Sequence, residues 1–149
     1  MKKRIVACVL ITAVVLFLGI FLLCRALIPK TYETAKEECV RFLNDNRDEM
    51  EEIAVNLLAE ERVAFGQFGE RAYSYTPADN FVEFEVDGQG MLGGQYWSLI
   101  YTKDGSFHGN AETYLWEEPL GNNVYRAEKL TGNWWYLWSD YDGTERSFQ

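Results

Sequence analysis

The segment Phe81–Val86, FVEFEV, alternates apolar and acidic residues and decides the class of fold. In an extended chain its two valines and Phe84 fall on one face, and Glu83 and Glu85 fall on the other. This alternation predicts a β-strand with one face against a core and the other in water. We interpret the two glutamates as the solvated face of that strand.

Further strands follow at short intervals in this aromatic-rich part of the chain. With FVEFEV, the predicted strands are Ala72–Tyr75 at an edge, Gln95–Thr102, Tyr114–Glu117, Val124–Leu130 and Trp134–Ser139. Asp104-Gly105 is a strong signal for a tight turn after one of them. Short connections favour antiparallel neighbours, so residues 70–149 are predicted to form an antiparallel meander of about five strands.

The segment before these strands has the periodicity of a helix. Between Tyr32 and Leu58, apolar or small residues recur at steps of three or four, and the opposite face is mainly acidic. Thr31 or Thr34 can cap this helix, and Thr34 and Glu37 have the spacing of a capping box. We therefore predict an amphipathic acidic helix over residues 30–64 that packs on the sheet; a coiled-coil dimer is the alternative.

The N-terminus begins with a short basic tail, residues 1–4, and continues into Ile5–Cys24, IVACVLITAVVLFLGIFLLC, which has no charge. Twenty helical residues rise roughly 30 Å, the thickness of the hydrocarbon core of a bilayer. Pro29 favours a helix end just before it. These features predict a transmembrane anchor over residues 5–28 with the lipid bilayer as a partner. The basic tail favours a cytoplasmic N-terminus, which places the C-terminal domain outside the cell membrane.

The predicted fold class is therefore α+β. An N-terminal transmembrane helix precedes one long amphipathic helix packed on an antiparallel meander, and residues 30–149 form one soluble domain. From Thr31 onward the chain has 9 basic and 23 acidic residues, a formal charge of −14, which argues against nucleic-acid binding. Cys39 is the single cysteine of this part, and we interpret it as a buried apolar residue, with an intermolecular disulfide as the alternative.

The order of these segments resembles a known group of proteins. An anchor, an acidic helix, an alternating strand, a Tyr-rich strand ending in Thr102-Lys103-Asp104-Gly105 and a closing Asn133-Trp134-Trp135-Tyr136 are similar to small uncharacterised bacterial single-pass membrane-anchored proteins. The resemblance covers most of the chain and implies the architecture. It implies no activity and no functional residue.

Motifs that could carry chemistry have simpler structural interpretations. Gly88–Gly93 matches GxGxxG but precedes a strand instead of a helix, so we interpret it as a hairpin loop needing positive φ. His108 is the only histidine and is expected at the surface. Asp140–Glu145 is expected to be a turn, with a weak single-ion site as the alternative. The sequence predicts no catalytic, cofactor-binding or metal-ligating residue and no cofactor.

Aromatic residues are the most prominent feature of the last strands. One interpretation is that some of these side chains are exposed and form an interaction surface for a protein or glycan partner, with Trp97, Tyr101, Trp134, Tyr136 and Trp138 as the candidates. The interpretation that we favour is that sheet curvature and the loops bury both faces.

The resulting hypothesis is a membrane-anchored, extracytoplasmic, non-enzymatic domain that contacts a protein or a surface ligand. A pilin-like subunit or accessory protein of a membrane complex is the alternative. The pilin processing signal, a glycine followed closely by a glutamate, is absent from the apolar segment. A carboxylate-based hydrolase, with Glu83 and Glu85 as the candidate pair, is a further alternative.

Overall fold

The computed structural model describes residues 14–20, 30–60, 62–89, 94–109, 111–117 and 123–141. The chain divides into two units, Met1–Lys30 and Thr31–Gln149. In the first unit, residues 14–20 are helical (α1). The elements of the second unit are α2 (Tyr32–Glu60), β1 (Ala64–Phe68), β2 (Arg71–Thr76), β3 (Phe81–Gln89), β4 (Gln95–Thr102), β5 (Thr113–Glu117), β6 (Val124–Thr131) and β7 (Trp134–Asp140).

The transmembrane prediction requires correction. Among the described residues, no helix is both long enough and apolar enough to cross a membrane. Within the predicted span 5–28, the structure describes only residues 14–20. This finding contradicts the predicted single-pass anchor, the cell-membrane location and the orientation derived from it; the basic tail 1–4 lies outside the described residues.

Helix α2 begins directly after Thr31, the first of its two predicted caps. The backbone N–H of Thr34 donates to Thr31 Oγ1 at 3.3 Å, and the backbone N–H of Thr31 donates to Thr34 Oγ1 at 2.9 Å. This reciprocal pair has the arrangement of a capping box, so the cap at Thr31 is confirmed, and Thr34 takes the role predicted for Glu37. The predicted apolar stripe is buried, and Cys39 within it has no exposure. Its interpretation as a core residue is confirmed.

The sheet has seven antiparallel strands in the order β1-β2-β3-β4-β7-β6-β5, so the predicted meander of about five strands is wrong. Strand β1, AFGQF, was missed because it is short and contains Gly66, which weakens a strand pattern. The ring of Tyr73 on β2 occupies the space above Gly66, where a Cβ would lie 2.3 Å from it. Because β1 lies beside it, β2 is an inner strand instead of an edge strand. Strand β7 pairs with both β4 and β6.

The two faces of the sheet have separate cores. The face under α2 carries the larger cluster, which includes Phe84, Leu99 and Tyr136. The opposite face, here called the open face, carries a smaller cluster of Ile100, Phe107, Ala127, Trp135 and Leu137. Phe107 belongs to residues 103–109, which follow β4 and cover part of the open face.

Candidate functional site

The predicted aromatic interaction surface is part of the core under α2. The exposed fractions of its members are Trp97 0%, Tyr101 4%, Trp134 2%, Tyr136 0% and Trp138 2%. The hydroxyl of Tyr136 donates to the backbone oxygen of Tyr32 at 3.0 Å, and Trp97 Nε1 donates to Glu38 Oε2 at 3.3 Å. The interpretation of these residues as an exposed surface is therefore wrong, because a helix of 29 residues covers these rings.

A different part of the sheet offers an accessible concave site. A cavity of about 630 Å³ lies beside the residues that cover the open face. It is lined by Phe65, Gly66, Ala72, Tyr73, Ser74, Glu83, Glu85, Tyr96, Ser98, Ser139 and Tyr141. The volume is within the range of small-molecule sites. We call this space the open-face cavity.

The two glutamates singled out by the strand pattern both line this cavity. Ser98 on β4 donates its hydroxyl to Glu83 Oε1 at 2.6 Å. Burial raises the pKa of Glu83; the hydrogen bond from Ser98 lowers it, and repulsion from Glu85 and Asp79 raises it further. Glu85 is exposed, as predicted, whereas Glu83 is half-buried. The interpretation of both side chains as a solvated face is therefore correct for Glu85 alone.

Aromatic rings continue from the cavity across the open face. The centroids of Tyr96 and Tyr141 are 5.5 Å apart, and those of Tyr141 and Tyr125 are 5.9 Å apart. Trp116 stacks on Tyr125 at 4.8 Å. We call these four residues the aromatic row. Burial, followed by interaction with Tyr125 and Glu83, raises the pKa of Tyr141 to about 12, so its phenol is neutral at physiological pH.

A glycine positions the first ring of this row. Gly88 on β3 lies opposite Tyr96 on β4, and a Cβ at Gly88 would lie 2.5 Å from the tyrosine ring. The ring can rest against the backbone only because position 88 has no side chain. The prediction that Gly88 belongs to a loop with positive φ is wrong, since it lies within β3; residues 90–93 of the motif are outside the described residues.

Ser139 contributes a polar side chain to the lining of the cavity. It lies on β7 between Tyr96 on β4 and Tyr125 on β6, so a small residue separates two large ones across three strands. Its exposed fraction is 5%, and no residue that the structure describes forms a hydrogen bond with its hydroxyl. Ser139 therefore supplies a donor and acceptor available to a molecule in the cavity.

The other sequence candidates are structural. His108 is exposed, as predicted, in a left-handed conformation with φ 47°, and its ring stacks on Tyr114 at 5.0 Å. Asp140 is fully buried in β7, and residues 142–145 of the predicted turn lie outside the described residues. Within the described ranges, no group of three or more His, Cys, Asp or Glu side chains is arranged to hold a metal ion.

Sequence reasoning identified Glu83 and Glu85 but missed the aromatic row and Ser139. The available signal was the outward-facing half of Gln95–Thr102, where Tyr96 and Ser98 alternate with the core residues. Comparison with protein families, curated proteins and solved structures found no match to this chain.

Proposed function

We propose that this protein is a non-enzymatic binding module and that its ligand occupies the open-face cavity. The observation that carries the proposal is the hydroxyl of Ser139, which lines the cavity and has no hydrogen-bond partner among the described residues. The surrounding rings and carboxylates supply apolar contact and orientation, the usual division of labour in a small binding site. The proposal keeps the binding role expected from the sequence but moves it from the buried tryptophans to the opposite face.

A carboxylate-based hydrolase is the second candidate. It is favoured by Glu83, whose pKa is raised by burial, and Glu85, which lines the same cavity. Glycoside hydrolysis uses two carboxyl groups that flank the scissile bond. Glu83 and Glu85 project from the same face of one strand, so they approach a bound ligand from the same side. We therefore favour binding over hydrolysis.

The test is saturation-transfer difference NMR on the full-length chain with two probes, N-acetyl-lysine methylamide and chitotetraose. Ala72 is an exposed residue of the cavity wall, so Ala72→Trp fills the space without removing a polar group. Ala111→Trp adds the same ring at an exposed position outside the cavity and is the matched control.

We expect saturation transfer to at least one probe, abolished by Ala72→Trp and retained in Ala111→Trp. Absence of transfer to both probes, or transfer unaffected by Ala72→Trp, contradicts the proposal. Conversion of chitotetraose to shorter oligosaccharides that stops in Glu83→Gln supports the hydrolase instead.

A further inference from the structure

We infer that the open-face cavity receives a lysine side chain from a basic protein segment, with the ammonium group held by Glu83, Glu85 and Ser139. This inference rests on the proposed function and specifies the ligand of the same cavity. It is carried by the charge of the lining, by the placement of its oxygen atoms and by its aromatic walls.

The charged residues that line the cavity are all acidic. Among the described residues that line the cavity, Glu83 and Glu85 are the ionisable acids, and no lysine, arginine or histidine is present. The chain from Thr31 onward has a formal charge of −14, so its field attracts cations and repels anions before contact. A cationic partner therefore matches both the local lining and the charge of the domain.

The oxygen atoms of the site come from two different strands. Glu83 and Glu85 lie on β3, Ser139 lies on β7, and β4 separates these two strands in the sheet. A lysine ammonium has three donors and no acceptor, so two carboxylates and one hydroxyl satisfy it. An arginine guanidinium needs acceptors in one plane that match its fork, whereas an ammonium acts as a compact point charge. Oxygen atoms from both sides of β4 favour lysine.

The aromatic walls suit the rest of a lysine side chain. Tyr96 and Tyr141 both line the cavity, and their rings contact each other edge to face at 5.5 Å. The four methylenes of lysine bury against apolar surface while the charged end stays with its polar partners. A cation near a tyrosine ring is also attracted by the electrons of the ring face. The outer part of the aromatic row, Tyr125 and Trp116, can then contact residues beside the lysine.

Binding of a lysine in the cavity should depend on the protonation of the Glu83 carboxyl. Its carboxyl faces Glu85 and Asp79, it accepts a hydrogen bond from Ser98, and it lies near the Tyr141 phenol. Burial without a cation raises its pKa. A bound ammonium favours the ionised carboxylate, so binding of lysine releases a proton below the pKa of the empty site. Binding therefore strengthens as the pH rises toward that pKa and then levels off.

The experiment compares two probes that differ by one charge, using saturation-transfer titrations on the full-length chain. N-acetyl-lysine methylamide carries the ammonium; the same compound acetylated at Nε keeps the stem and is neutral. Glu85→Gln removes one carboxylate at an exposed position, so folding is retained. Glu70→Gln makes the same change of net charge at an exposed residue outside the cavity and is the matched control.

We expect the charged probe to bind, the Nε-acetylated probe to bind at least about tenfold more weakly, and Glu85→Gln to weaken the charged probe about tenfold, as for loss of a charge-assisted hydrogen bond. Glu70→Gln should leave the Kd within about twofold. Equal binding of both probes, or equal weakening by Glu70→Gln and Glu85→Gln, overturns the inference. Binding of chitotetraose alone, abolished by Ala72→Trp, overturns the lysine assignment and leaves the proposed function intact.

Discussion

The two faces of this sheet have similar aromatic residues but different covers. Under α2, the rings of Trp97 and Trp138 stack at 5.5 Å with an interplanar angle of 11°, and the helix seals them from water. On the open face, residues 103–109 cover only the cluster around Trp135, and the aromatic row continues beyond it into a cavity. Exposure is therefore set by the length of the covering element and not by the aromatic content of the strands.

Polar atoms also distinguish the two faces. The indole nitrogens of Trp134 and Trp138, on the α2 face, and of Trp135, in the open-face cluster, are buried and have no hydrogen-bond partner among the described residues. The first two atoms cannot be reached by a ligand while α2 is in place. The Ser139 hydroxyl on the open face also has no described partner, but it lines an accessible cavity. Only the open face can therefore offer its polar group to another molecule.

The largest expected effect on stability comes from a substitution in the core under α2. Trp134→Ala removes a ring that contacts Tyr101 at 4.9 Å and Phe84 at 5.8 Å, so the free energy of unfolding should fall by about 4 kcal/mol. Urea denaturation followed by circular dichroism measures the change. Trp116→Ala, at a residue 41% exposed, is the comparison and should lower it by less than about 1 kcal/mol. Equal losses would show that the two faces are equally buried.

Residues 103–109, which cover part of the open face, should contribute less to the free energy of unfolding than α2 does. Phe107→Ala removes the ring that packs on Trp135 at 5.8 Å and on Phe81 at 5.2 Å. We expect a loss of about 3 kcal/mol, at the lower end for an aromatic core residue, because the residues around it can partly collapse. The same denaturation series measures it. Binding of N-acetyl-lysine methylamide should persist, since Phe107 does not line the open-face cavity.

A smaller effect is expected from Gly88→Ala, which changes the shape of the cavity. The new Cβ would lie 2.5 Å from the Tyr96 ring, so the ring must move. We expect a stability loss of about 1 kcal/mol and a clear weakening of probe binding, because the displaced ring belongs to the cavity wall. Thermal unfolding and the saturation-transfer titration provide the two readouts. Unchanged binding would show that Tyr96 does not shape the site.

Glu83→Gln should produce the smallest change in stability, visible through its pH dependence. The pKa of Glu83 is raised in the folded chain, so the native state holds a proton that the unfolded state loses at lower pH. Native stability from this group is fully present below the unfolded pKa and declines as the pH rises through the folded pKa. Glu83→Gln keeps an acceptor for Ser98 and should remove that decline. Glu85→Gln, whose carboxyl is exposed, should largely retain it.

The sequence predicted the elements better than their arrangement. Alternation in Phe81–Val86 and helical spacing from Tyr32 both led to the correct element types, since each pattern reports one buried face. Strand order depends on contacts between distant segments, and nothing local indicates that β7 pairs with β4. The N-terminal prediction rested on the uncharged apolar run, the basic tail and Pro29, and it was contradicted.

The candidate site was only partly accessible to sequence reasoning. Glu83 and Glu85 were recognisable as an outward-facing pair because they share a strand. Tyr141 and Ser139 join them only after β4 and β7 pair, and Gly88 acquires its role from the ring opposite it. The same limit left the tryptophans open to both interpretations, because alternation assigns a side chain to a face without showing what covers that face.

The most direct test compares thiol reactivity on the two faces in the full-length chain with Cys8→Ser and Cys24→Ser. In this background the reporters are native Cys39, which is fully buried under α2, and the thiol introduced by Ala72→Cys in the cavity wall. We predict that the cavity thiol reacts in the native state at the rate of a free thiol. Cys39 should react at least roughly 1000-fold more slowly until denaturant is added, since reaction requires unfolding. Comparable native rates at the two positions would contradict the account of one sealed and one open face.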